Sequence, residues 1–243
     1  MSRPPRPDDL SALRVPIDLR LSPDGSLAVF TLRTVAPRRD GYRHALWIVP
    51  TDGSAAARQL TLGATCDVSG RFSPDGRTLG FISDRAGVLQ AAGAADRPGL
   101  PKAWPKEGAR QVWLLPMDGG EARQLTTLPR DVTDLTWSPD GARLCVVSAA
   151  TRADRRSDER RPEDPPEPDG RFIDRLAYML NDAGFTYDRP GKLWRIDVAS
   201  GEARRLTDGD AADGQPAWSP DGHAIAFVSE RHRDRDLRWR TDV

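Results

Sequence analysis

A four-residue turn motif, Ser-Pro-Asp-Gly, recurs at residues 22–25, 73–76, 138–141 and 219–222, and its spacing dictates most of what this chain can fold into. Behind each of the first three copies stands a second block, running from an apolar residue and Trp to Leu-Thr. These blocks are Leu46-Trp47 to Leu60-Thr61, Val112-Trp113 to Leu125-Thr126, and Leu193-Trp194 to Leu206-Thr207. A fourth opens on Leu237-Arg238-Trp239, close to Val243. The expectation is three complete units, a truncated fourth, and a chain that is part of something larger.

Each unit reads as four antiparallel strands. Pro at the second turn position presets φ, and Gly at the last tolerates the conformation from which the next strand resumes. The residue before each turn is apolar: Leu21, Phe72, Trp137, Trp218. After the turn, apolar residues fall on the third and fifth positions past the Gly: Ala28 and Phe30, Leu79 and Phe81, Leu144 and Val146, Ile225 and Phe227. Between them stand Val29, Gly80, Cys145 and Ala226, mostly small, as in a strand buried on both faces and closely approached on one. The Trp block supplies a third strand, a turn at Asp52-Gly53, Asp118-Gly119-Gly120 or Ser200-Gly201, and a fourth strand. Four-stranded antiparallel units repeated radially make a β-propeller, an all-β fold in which neighbouring blades stabilise each other.

The spacings strengthen this reading. From Thr to the next turn Ser is always 12 residues (61 to 73, 126 to 138, 207 to 219). From turn Gly to Trp the distance is 22, 37, 53 and 17 (25 to 47, 76 to 113, 141 to 194, 222 to 239). Length variation therefore sits between strands two and three, which places the insertions and the inter-blade links at one end of the disc. The predicted units are blade one at about 17–61, blade two at 69–126 with insertion 84–110, blade three at 134–207 with insertion 149–191, and blade four from 215. Residues 152–168, charged and Pro-rich with almost no apolar side chains, read as mobile, and the following Arg171-Phe172-Ile173-Asp174-Arg175-Leu176-Ala177-Tyr178-Met179-Leu180 as apolar enough to dock.

Lys+Arg and Asp+Glu are both 36, interspersed, so no net field draws the chain to nucleic acid or an anionic membrane. Two cysteines, Cys66 and Cys145, make no disulfide framework, and no apolar run is long enough for a membrane helix. With no secretory pattern behind Met1, a cytoplasmic location is expected.

The sequence carries no recognisable catalytic motif. Gly-x-Ser-x-Gly is absent, and His44, His223 and His232 stand in no metal-ligand pattern. His223 reads as a solvent-facing residue after a turn, and His232 as part of the exposed charged connection Glu230-Arg231-His232-Arg233-Asp234. Asp24, Asp75, Asp140 and Asp221 are explained by turn chemistry, and Cys145 by packing in the small-residue slot. The expectation is no catalytic, metal or cofactor-binding residue.

Ser-Pro-Asp-Gly, Phe-x-Ser at Phe81 and Phe227, Leu-Trp, Gly-Glu-x-Arg at Gly120 and Gly201, and Leu-Thr together resemble the repeats of TolB-like propellers. They are also similar to the N-terminal propeller of prolyl oligopeptidase-family serine peptidases. The opening Asp8-Asp9-Leu10-Ser11-Ala12-Leu13, and residues 171–176 followed by Asp182-Ala183-Gly184-Phe185, resemble the acylaminoacyl-peptidase-like branch. That resemblance implies a propeller that gates access for short peptides to an α/β-hydrolase domain, which would lie beyond Val243 and carry the catalytic triad. The alternatives are a non-catalytic TolB-like module that binds a protein partner, and a small four-bladed disc.

Overall fold

The computed structural model describes residues 3–4, 6–37, 41–85, 110–150, 173, 176, 178–180, 184–185, 189–235, 237 and 240–243. The expectations for 152–168, and for most of insertions 84–110 and 149–191, lie outside them. After a short 3-10 turn at Pro7–Ala12 the named elements of the described residues are all strands. The first sheet runs in order β1 (Arg14–Leu21), β2 (Leu27–Val35), β3 (Tyr42–Pro50), β4 (Arg58–Gln59). The second is β5 (Asp67–Phe72), β6 (Thr78–Ser83), β7 (Gln111–Pro116), β8 (Arg123–Gln124). In the third, β9 (Val132–Trp137) and β10 (Arg143–Ala149) pair on through β13 (Gly191–Asp197) to β14 (Ala203–Arg205). The intervening insertion carries a small hairpin, β11 (Met179–Leu180) with β12 (Gly184–Phe185). A last pair, β15 (Asp213–Trp218) with β16 (Ile225–Ser229), starts a fourth sheet. First strands of successive sheets pack on one another, β1 on β5, β5 on β9 and β9 on β15. This is the radial arrangement of propeller blades around an axis.

The turn motif closes the same way four times. Each Ser hydroxyl donates to the Asp two residues on, at 2.6 Å for Ser22–Asp24 and 2.5 Å for Ser73–Asp75 and Ser219–Asp221, with Ser138–Asp140 alike. The same Ser Oγ accepts the N–H that opens the next strand, from Leu27, Thr78, Arg143 and Ala224 at 2.9–3.0 Å. Each Asp also accepts a backbone N–H, from Ser26, Arg77, Ala142 or His223. These bonds hold all four carboxyls below the ordinary carboxylate range, Asp24 at about 2. A depressed folded-state pKa contributes stability above the unfolded value near 4 and loses it as pH falls toward 2. Melting curves across that window should therefore steepen in pH dependence, and Asp140→Asn should flatten the slope while lowering stability at pH 7.

Inter-blade packing uses the slot read from the sequence. Phe72 packs against the cluster of Val29, Leu46, Leu79, Phe81 and Trp113 between blades one and two, Trp137 lies on Gly80, and Trp218 packs against the cluster of Cys145, Val147 and Leu193. Fourth strands are shorter than expected because Thr interrupts the ladder. The Thr61, Thr126 and Thr207 hydroxyls accept the N–H of Leu46, Val112 and Leu193 at 2.9–3.1 Å, a place otherwise taken by a backbone carbonyl. The fourth Trp block differs from the repeat pattern. Leu237 sits in a turn closed onto Asp234, and Asp242 bridges Ser229 where the repeat would place Leu237.

Candidate functional site

At the insertion-bearing end of the disc, first strands begin and second strands end. Blades two and four there share an arrangement of Asp, Ser and Arg. Arg85 Nη2 donates to Asp67 at 3.0 Å and Arg85 Nε to Ser83 at 3.1 Å. In blade four Arg231 reaches Asp213 and Ser229, and Ser229 donates to Asp213 at 2.6 Å. Each Arg stacks on aromatic rings, Arg85 4.9 Å over Phe81 and 5.0 Å over Trp113, and Arg231 5.2 Å over Phe227. The signal lay in constant offsets from the turn Ser: Asp six before, Ser ten after, Arg twelve after. Blade three has Val132, Ser148 and Ala150 instead, and Ser148 turns to the Arg130 carbonyl at 3.1 Å.

Lys192 fills the junction of blades three and four. Its ammonium, on a side chain 1% exposed, donates to Asp213 Oδ2 at 3.0 Å and to the carbonyls of Ala211 and Asp208 at 2.5 and 3.3 Å. Burial pushes Asp213 up, but bonds from Ser229, Lys192 and Thr207 outweigh it and hold its carboxyl below the usual range.

A second polar group runs along the innermost strands. Arg71 donates to Asp18 at 2.7 Å, and Arg20 pairs with Asp18 at 3.2 Å. Asp134 belongs to the same electrostatic group. Burial pushes its carboxyl up, and the Leu135 N–H and Arg71 offset this only in part. Asp18, Ser69 and Gln215 adopt left-handed φ of 51°, 58° and 50° at bulges where the strand register shifts. Such conformations cost on the order of 1–3 kcal/mol each and concentrate where a strand must re-aim a side chain.

These groups can hold charged or polar partners; they do not assemble a nucleophile with a base. Cys66 Sγ lies 3.6 Å from His44 Nδ1, a couple that suggests a thiolate. Burial, however, pushes the Cys66 thiol up and His44 down, opposite to what a thiolate–imidazolium pair requires. Cys145 is buried in its strand and pushed up to about 12. His223 is exposed beside its turn. His232 is less open than expected, with Nδ1 3.1 Å from Asp234 and Nε2 2.7 Å from the Arg240 carbonyl. Among the described residues no three His, Cys, Asp or Glu gather as metal ligands, and no helix is long and apolar enough to cross a membrane.

No protein-family model matches the chain. It is 33% identical over 240 residues to the "uncharacterized peptidase YuxL" of Bacillus subtilis, a match covering 97% of this chain and 33% of that protein. A TolB homologue of Chlorobium chlorochromatii is 27% identical over 140 residues, 52% of this chain and 30% of that one. Its homologues are peptidases and TolB-like propellers. Among solved structures, the acylaminoacyl peptidase of Pyrococcus horikoshii superposes with a TM-score of 0.64 at 16% identity, over 94% of this chain and 30% of that one. That likeness establishes the fold. The chain thus spans about a third of the length of the curated relatives it matches.

Proposed function

We propose that this propeller is the non-catalytic part of a serine peptidase, controlling which short peptides or acyl-peptides reach an α/β-hydrolase domain supplied by the same protein. The observation that carries this reading is the peptidase relative aligned along 97% of the chain. The partner is that hydrolase domain, approached from the end of the disc that bears the insertions, the inter-blade links and the Asp-Ser-Arg groups. Both cysteines are free thiols, in keeping with work in the cytoplasm.

The test is made on the full product of the reading frame that contains this chain. It should cleave acylated or free aminoacyl p-nitroanilides, and replacing a nucleophilic Ser in the hydrolase domain should abolish turnover. Deleting residues 152–168 should change the ratio of kcat/KM between longer and shorter peptides by about tenfold, which corresponds to ~1.4 kcal/mol of transition-state discrimination. An unchanged ratio would remove the gating role of that insertion. No hydrolysis at all would favour the protein-binding reading that the TolB match supports.

A further inference from the structure

The three inter-blade links each curl around one side chain, at positions 45, 111 and 192, the residue immediately before Leu46, Val112 and Leu193. At the second junction it is Gln111, whose Nε2 donates to the Leu128 carbonyl at 2.9 Å while its Oε1 accepts from Thr126 at 2.7 Å and Leu128 N–H at 2.9 Å. The first residue of the following strand there is Val132, so the junction is neutral. At the third it is Lys192, whose ammonium is held by Asp213 Oδ2 and two link carbonyls. At the first junction the position is Ala45, yet the following strand opens with a carboxylate, Asp67.

Asp67 is 1% exposed, and Oδ1 receives Arg85 and the Thr65 hydroxyl. Its Oδ2 is buried with no hydrogen-bond partner among the described residues. The corresponding Asp213 faces two cations, Lys192 and Arg231, where Asp67 faces, among the described residues, one, Arg85. A buried carboxylate oxygen left without a donor is costly, so the arrangement calls for something in the place of the Lys192 ammonium. Gly63, at φ +69°, folds the link close over Ala45, to the point that a Cβ there would stand 3.3 Å from Ala45 Cβ.

We propose that the junction of blades one and two binds a monovalent cation of ammonium or potassium size against Asp67 Oδ2, in the place that Lys192 Nζ takes two blades on. The ion ties the link to the start of the second blade. The experiment compares melting temperatures of the chain in potassium, ammonium and tetramethylammonium chloride at equal ionic strength. Potassium and ammonium should raise Tm over tetramethylammonium, which is too large to enter, by about 2–4 °C once several-fold above Kd. Ala45→Lys supplies the ammonium from the chain itself, and Asp67→Asn removes the charge; both should lose the ion-specific shift. Equal melting in all three salts would overturn the proposal and assign the place to water. Should either variant fail to fold, rubidium-soaked crystals decide the matter: an anomalous peak beside Asp67 Oδ2 supports the site, and its absence refutes it.

Discussion

Replacing Lys192 with Met should destabilise the propeller by about 3–5 kcal/mol, because it removes one member of a buried pair and leaves the other charged. Lys192 and Asp213 are 1% and 0% exposed, so water cannot take over the lost bond, and two link carbonyls lose their donor as well. For a chain of this size the change corresponds to a fall in Tm of roughly 10 °C, readable by calorimetry. The molecule contains its own control. The second junction fills the same space with Gln111 and Val132, an uncharged pair. Lys192→Gln alone leaves the buried Asp213 carboxylate with Arg231 and Ser229 but without its ammonium, whereas Lys192→Gln combined with Asp213→Val reproduces the neutral junction and should recover most of the loss. Arg231, more than half exposed, then turns to solvent. A double variant no better than the single ones would show that the ion pair contributes beyond compensating its own burial.

That contrast also marks what a reader of the sequence can and cannot see. The turn residues were legible because a four-residue hydrogen-bonded loop depends on neighbours in the chain, and Ser22, Asp24 and Gly25 carry the whole instruction locally. The alternation after the turn was legible for the same reason. Lys192 was not, since lysine is among the residues least often buried, and its partner lies 21 positions away across a link. The Asp-Ser-Arg group was present as fixed offsets in only two of four repeats, hidden by Val132 and Ala150 in the third. Arg71 meets Asp18 across 53 residues, a contact that only the radial stacking of first strands creates. The left-handed residues Asp18, Ser69 and Gln215 share a backbone role and no side-chain type, so no motif announces them. Homology, by contrast, was carried by the repeated local cassettes, which is why the peptidase and TolB resemblance could be read early.

Trp137→Ala should cost a further ~3–5 kcal/mol, the range for truncating a large aromatic side chain at a packed interface. Its ring spans the junction of blades two and three, where the N–H donates to the Arg71 carbonyl at 3.0 Å and the face lies on Gly80. Glycine leaves room for the ring there: a Cβ at position 80 would stand 3.3 Å from the indole Cζ2 and Nε1, so the ring would have to give by a few tenths of an ångström. At the next junction Cys145 takes the place of Gly80, and the Trp218 indole N–H is buried with no acceptor among the described residues. Gly80→Cys should therefore displace Trp137 and break its bond to Arg71, for a loss of about 1–3 kcal/mol from overpacking. Trp137→Phe should cost less than Trp137→Ala, because it keeps most of the apolar contact and removes the hydrogen bond. Combining Gly80→Cys with Trp137→Phe sets a larger slot residue against a smaller ring, as Val29 and Phe72 are at the first junction, and the two costs should then be less than additive. Strict additivity would mean that the ring and the slot do not select each other's size, and that the Val–Phe, Gly–Trp and Cys–Trp series along the disc is coincidental.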